Sequence, residues 1–352
     1  MPLRRRHFVA SLSHLDESSG LTLCKICLIS STPGMNLWTR DDRTGPVCRV
    51  TDVRVCGRST VRFSSWYSFR VPTRLPSRPL IFLAHPDDET LACGGLLQRV
   101  PASLVVFATD GAAPGFGCER MFGSLKAYSD IRFQEASRAL ARVPNASFQR
   151  LTKPNGSYFV ELHLFEELTE ASACLCALGR SFSPDAIISH AYEGAHIDHD
   201  TCSFLAMHAA VDLSLMRFEV PLYWLDGQGN VVRQQFRDRQ SRIVAPNMEG
   251  TFTDILELQL SETEIECKKR MLAEYQTQRA TVSAFAPAIE RMRPAVTTSQ
   301  SFSNPLCRDY MFQERRPRFY HTRHRRLSAN VLLQKFAEFE AWHQENARRG
   351  QQ

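Results

Sequence analysis

The sequence predicts an open α/β fold in which a mostly parallel sheet is layered between helices. Three observations carry this prediction. Apolar runs at Pro79 to Ala84, Ser103 to Ala108 and Asp185 to Ser189 each read as a strand, and segments of helical periodicity separate them. Two of these runs lead directly into clusters of histidines and acids, Ala84-His85-Pro86-Asp87-Asp88-Glu89 and Ser189-His190-Ala191-Tyr192-Glu193-Gly194-Ala195-His196-Ile197-Asp198-His199. Strand ends are where an open α/β sheet places its chemistry.

The elements follow in order. Pro79 to Ala84 is the first strand, Leu91 to Val100 the helix after it, and Ser103 to Ala108 a second strand ending in Thr109-Asp110-Gly111, which together make a βαβ unit. A Gly-rich loop, Gly111 to Gly117, precedes a helix over Ala127 to Arg142 with small or apolar Ile131, Ala136, Ala139 and Leu140. A helix around Leu162 to Leu178, a strand over Asp185 to Ser189 and a helix from Asp200 to Leu213 repeat the alternation, so a three-layer arrangement follows. Val220 to Leu225 reads as another strand, near an edge because of Pro221. Ser261-Glu262-Thr263-Glu264 has the spacing of a capping box and opens a helix carrying Ile265, Lys268, Met271, Leu272 and Tyr275. At the end, Val331, Leu332, Lys335, Phe336, Phe339 and Trp342 suit an amphipathic helix docked on the domain.

Composition bounds the class. The 352 residues are 43% hydrophobic, enough for a sizeable core. The net charge of +6 belongs to the N-terminus: residues 1–78 hold thirteen Lys and Arg against five Asp and Glu, the remainder thirty against thirty-two. Residues 1–76 lack sustained periodicity and read as a basic N-terminal extension, followed by a main domain over 77–325 and the amphipathic helix within 326–352. Asp16, Glu17, Asp41 and Asp42 spoil the acid-poor pattern of an organelle-targeting peptide, and no run approaches the roughly 18 apolar residues of a membrane span. Eleven scattered cysteines lack the spacing of a secreted disulfide scaffold, and the seven-residue gap before Cys56 argues against a Cys₄ site of Cys24, Cys27, Cys48 and Cys56. A soluble, cytoplasmic protein is the expectation.

Two adjacent carboxylates and an imidazole are costly to crowd together unless a cation shares them, because like charges at contact push one pKa upward. Two His and one Asp drawn from the two strand ends make a three-ligand site with an open position, the pattern of catalytic zinc. The residues therefore read as a metallohydrolase.

Ala84 to Glu89 together with Gly194 to His199 resembles the PIG-L/LmbE family of zinc-dependent N-acetylglucosaminyl deacetylases. Thr109-Asp110-Gly111, Arg132 to Ala136, Pro184-Asp185 and the Lys268 to Gln278 stretch echo the family in the right order, so the likeness covers roughly residues 78 to 295. It implies a Rossmann-like α/β fold and removal of an acetyl group from an N-acetylated amino sugar by metal-activated water. It further implies His85, Asp88 and His199 as Zn²⁺ ligands and Asp87 as general base. His196 is implied as the imidazolium that stabilises the oxyanion and protonates the leaving amine, and Asp198 as the acid that holds a histidine in its tautomer. The chain departs from the family's Gly-His-Pro-Asp-His run at Ala195 and Ile197.

Arg120 and Arg132 are the candidate substrate contacts, with an ion pair the alternative for Arg132 and Glu135, three apart on one helix. Glu89 reads as a loop anchor. The run Arg315 to Arg326 carries six arginines and reads as a solvated loop without a base-reading element, so no nucleic-acid partner is expected. The competing functions are a non-catalytic glycan- or anion-binding protein on the same fold and a dinucleotide-binding oxidoreductase. The latter is disfavoured by acids and Pro86 where a G-x-G-x-x-G turn would stand.

Overall fold

The computed structural model describes residues 53–55, 59–61, 75–225, 231–234, 255–295, 299–303, 305–307, 309–311 and 326–349. The chain divides into units Met1–Thr73 and Arg74–Gln352. In the first, Val53–Val55 pairs antiparallel with Ser59–Val61. The rest of the N-terminal extension to residue 74, and Arg315 to Arg325 of the basic run, lie outside the described residues.

The second unit is built on strands β1 (Pro79–Leu83), β2 (Ser103–Phe107), β3 (Ala146–Arg150), β4 (Ala186–His190), β5 (Met216–Val220), β6 (Leu256–Gln259) and β7 (Ile289–Pro294). They form one sheet in the order β6-β7-β5-β4-β1-β2-β3. The five strands from β5 to β3 run parallel, with Leu80 opposite both Leu104 and Ile187, while β7 pairs antiparallel with β5 and β6 antiparallel with β7. The central strands of a parallel sheet are buried on both faces, and β1 is apolar throughout for that reason. Leu80 and Phe82 of β1 enter one core while Ile81 and Leu83 enter the other, as the period of two requires.

Helices cover both faces. α1 (Asp88–Arg99), α2 (Leu125–Leu140) and α5 (Glu262–Leu272) pack on the Ile81 side; α3 (Leu168–Phe182), α4 (Ile197–Asp212) and α6 (Ala329–Arg349) pack on the Leu80 side. α5 starts in the capping box that the sequence signalled. The Ser261 hydroxyl accepts from Glu264 N at 3.3 Å, and the Glu264 carboxylate accepts from Ser261 N at 2.8 Å. The same carboxylate receives both arms of Arg99, at 2.6 and 2.8 Å, and so ties α5 to α1. α6 docks through Leu332, Phe336 and Phe339, with the Phe336 ring stacked 3.9 Å from that of Phe204 on α4. Among the described residues no helix is long and apolar enough to cross a membrane.

Several boundaries differ from the sequence reading. The single strand expected over 220–225 is two: β5 stops at Val220, and Tyr223–Leu225 pairs instead with Val231–Arg233. Pro221 lies between them and has no N–H to continue a ladder. The helix expected around 162–178 is a short 3₁₀ turn, Leu164–Glu166, followed by α3. Strands β3, β6 and β7 carry too many polar residues to stand out as apolar runs; β3 is Ala-Ser-Phe-Gln-Arg.

Candidate metal centre

The order β3-β2-β1-β4-β5 changes direction between β1 and β4, so the loops leaving these two strands part to opposite sides of the sheet and open a crevice at their carboxyl ends. The first loop, Ala84 to Asp87, delivers His85 and enters α1 at Asp88. The second, Ala191 to His196, enters α4 at Ile197 and delivers His199 one turn later. Two motifs more than a hundred residues apart thereby face one another.

His85 is buried, with Nδ1 3.3 Å from Asp88 Oδ2 and Nε2 3.2 Å from Asp198 Oδ2. Burial opposes a charge on this ring, but Glu161, Asp198 and Asp88 outweigh it and raise the pKa well above the usual histidine value. The position is one that favours a cation. Asp88 Oδ2 accepts from His85 N at 2.9 Å and lies 3.4 Å from His190 Nε2 and 3.5 Å from His199 Nε2. Although burial works the other way, His199, His190 and His85 hold this carboxyl well below the usual range.

His199 faces Glu193 through Nδ1, 3.1 Å from Oε2. Glu193 is pinned by the Leu222 amide and by Tyr223 N at 3.0 Å on its other oxygen. Burial raises the Glu193 carboxyl and, with His190, lowers His199. His199 Nε2 is buried without a hydrogen-bond partner beside the Asp88 carboxylate. An imidazole fixed by a carboxylate on one nitrogen and left orphaned on the other is the arrangement of a metal-ligating histidine.

Two overlapping groups bring donors together, His85 with His196 and His199, and Asp88 with His190 and His199. His190 does not suit a ligand, because its Nε2 already accepts the Ala84 amide at 3.0 Å and its ring stacks 3.7 Å from His199. The two groups share His199, and the imidazoles and carboxylate that they bring together are donors whose chemistry fits a divalent cation.

Asp87 caps α1 in an unusual backbone conformation, φ +129° and ψ −32°. Three contacts hold it there. Its amide donates to Glu89 Oε2 at 3.0 Å, its Oδ1 lies 3.4 Å from Arg132 Nη2, and its carbonyl accepts from Thr90 and Leu91. Glu89 is in turn fixed by the hydroxyls of Thr90 and Tyr275. Burial raises the Asp87 carboxyl well above its usual range against the pull of Arg132.

His196 is half-buried at the N-cap of α4, with its ring 4.7 Å from those of His85 and His199. Its Nδ1 accepts from Asp198 N at 3.2 Å, which puts the proton of the neutral ring on Nε2. Burial, then the charge of His85, press its pKa down to about 3. In its neutral form the ring is therefore an N–H donor through Nε2. Asp198 accepts from Leu162 N at 2.7 Å, and the histidine it faces is His85.

The two candidate substrate arginines differ in placement. Arg132 is 5% exposed and committed to protein, donating to the carbonyls of Gly111 at 2.7 Å and Pro86 at 2.9 Å and pairing with Glu161 at 3.3 Å. It braces the Asp87 loop. Arg120 is exposed on the short helix Cys118–Phe122, and among the described residues it makes no hydrogen bond or ion pair with the site. Glu135 binds the backbone and hydroxyl of Thr277. Glu161, His190 and Glu193 were not singled out by sequence. The last two lie inside the quoted acid-and-imidazole run, but only the fold turns them toward His199.

A doubly wound sheet with a His/Asp centre at its switch point defines the class as a Rossmann-like α/β protein with a metal-type active site. Residues 80–210 match the PIG-L family model, GlcNAc-PI de-N-acetylase. Similar solved structures include the A40926 pseudoaglycone deacetylase Dbv21, at 15% identity and TM-score 0.46 over 62% of this chain and 96% of that one. The N,N'-diacetylchitobiose deacetylase from Pyrococcus horikoshii is similar at 13% identity and TM-score 0.39 over 62% and 84%. The 4-carboxy-2-hydroxymuconate hydratase GalB from Pseudomonas putida KT2440 is similar at 14% identity and TM-score 0.38 over 63% and 98%. None of the curated proteins compared with the chain matches it.

Proposed function

We propose that this chain is a zinc-dependent hydrolase that removes the acetyl group from an N-acetylated amino sugar of the N-acetylglucosaminyl class. The observation that carries the reading is the orphaned Nε2 of buried His199, aimed at Asp88 and backed by Glu193. His85, Asp88 and His199 would hold the metal, and two imidazoles with one carboxylate suit zinc and leave a position open. When bound, zinc supplies a Lewis acid that makes water nucleophilic near neutral pH and polarises an acyl oxygen.

The remaining steps belong to the chain. Asp87, made more basic by burial, accepts the proton of the attacking water, with Arg132 beside its carboxylate and Glu89 holding its backbone amide. His196 donates its Nε2 hydrogen to the oxygen on which negative charge gathers, as an oxyanion donor that needs no charge of its own. Asp87 returns the proton it took to the nitrogen that leaves. The bonds balance: water adds to the acyl carbon, the C–N bond breaks, and acetate and a free amine leave. A cytoplasmic location is part of this reading, since Cys93, Cys176 and Cys202 are buried free thiols, as in a reducing compartment.

Metal analysis of the purified chain together with acetate release across a panel of N-acetylglucosaminides tests the proposal. Zinc at one equivalent and acetate release lost in Asp87→Asn are the expected results. Zinc and sugar binding without acetate release would establish a glycan-binding protein in its place.

A further inference from the structure

We infer that the C-terminal part of the chain completes the metal centre, with Tyr310 positioning His199 through Asp200 and Glu193. This rests on the reading of His85, Asp88 and His199 as a metal site. Tyr310 belongs to the strand Asp309–Met311, which pairs with Arg326–Ser328 and so leads into α6, well outside the segment that matches the family. Its hydroxyl donates to Asp200 Oδ2 at 2.6 Å across 110 residues of sequence.

Asp200 organises the turn behind His199. Its Oδ1 accepts Glu193 N at 2.7 Å and Gly194 N at 3.1 Å, and its Oδ2 accepts Gly194 N at 3.0 Å. Glu193, held through its amide in this way, turns its carboxylate onto His199 Nδ1. Tyr310, Asp200, Glu193 and His199 are each 1% exposed or less, so no water competes for these bonds. A relay of buried polar groups is worth more than its separate bonds, and loses more when one member is removed.

Two further contacts place the same C-terminal segment on the same turn. The Phe302 ring sits 4.7 Å from that of Tyr192. Leu306 closes over Gly194, where φ is +76° and a Cβ would come within 2.5 Å of the leucine Cβ. Residues 302 and 306 thus cover 192 and 194, and residue 310 reaches 193 through Asp200. Packing alone would require only the apolar contacts. The Tyr310 hydroxyl adds a directed bond into the shell of groups that orient a metal ligand, and such partners are typically worth about 10- to 100-fold in metal affinity when they touch the ligand itself.

The experiment measures Zn²⁺ affinity of the full chain by competition with a chromogenic chelator, with thermal unfolding of the metal-free chain alongside. Tyr310→Phe, which removes only the hydroxyl, should weaken Zn²⁺ by roughly three- to thirtyfold, one step further from the ligand than a direct partner. Phe336→Leu, which loosens the same C-terminal packing without touching the relay, should lower the unfolding temperature and leave Zn²⁺ affinity within about twofold. Wild-type affinity in Tyr310→Phe overturns the inference, as does an equal loss in Phe336→Leu. Should Tyr310→Phe not fold, Asp200→Asn tests the same link, and wild-type affinity there overturns it too. Failure of the unmodified chain to bind Zn²⁺ would instead overturn the metal reading and the inference together.

Discussion

The amide of Asp87 donates to Glu89 Oε2 at 3.0 Å, and this bond fixes Asp87 at φ +129°. A non-glycine residue in that region costs of order 1–3 kcal/mol and persists only when its surroundings over-determine it. Here the surroundings are Glu89, Arg132 and the first turn of α1.

Asp87→Gly should therefore stabilise the fold while abolishing acetate release, since glycine adopts the conformation freely and removes a buried carboxyl. A gain of about 1 kcal/mol in denaturant unfolding is expected. A destabilised Asp87→Gly would refute the claim of strain.

The ligand assignment separates two neighbouring histidines. His199→Ala, Asp88→Ala and His85→Ala should each lose Zn²⁺, by at least about 100-fold in affinity, whereas His190→Ala should lose no more than about tenfold because its Nε2 serves the Ala84 amide. Chelator competition reads the difference. Equal losses at His190 and His199 would make His190 a ligand.

Arg132→Lys keeps the charge but not the fork that spans Pro86 O, Gly111 O and Asp87. The expected result is a kcat lower by about tenfold with KM nearly unchanged, because the loop that carries the base is loosened and no substrate contact is lost. A rise in KM at constant kcat would restore Arg132 as a substrate contact.

His208 on α4, packed against Phe204, Phe339 and His343, gives a stability prediction in pH. Burial, then the charge of His343, push its pKa down to about 4. The folded state thus resists protonating it, so its share of stability is full above the unfolded value of about 6.5 and is lost as pH falls toward 4. The loss reaches up to about 3 kcal/mol and stops below pH 4. His208→Phe should flatten the unfolding temperature between pH 6.5 and 4, and an unchanged slope would show that another group carries it. Glu264, held down to about 2 chiefly by the Arg99 hydrogen bonds, acts in a lower window: what it contributes is present above pH 4.5 and lost only as pH falls toward 2.

Legibility in the sequence follows physical cause residue by residue. The β1 and β4 strands were readable because both faces of a parallel strand are buried, which leaves an uninterrupted apolar run. Ser261 and Glu264 were readable because a capping box is local to four residues. β3 and β7 were not, since near the sheet's edges polar side chains such as Gln149 and Arg291 are tolerated.

The sequence alone determined which chemical groups stand at the two strand ends, His85 to Glu89 and His196 to His199, and that they begin helices. Only the tertiary structure decided their neighbours. The adjacency of β1 and β4 brings the two ends together, the Asp198 amide selects the tautomer of His196, Arg132 turns inward to Pro86 and Gly111, and Tyr310 arrives from 110 residues away to hold Asp200. The reason is range: strand and cap preferences are set within a few residues, whereas burial, charge state and hydrogen-bond direction depend on neighbours that the chain supplies only when it closes on itself.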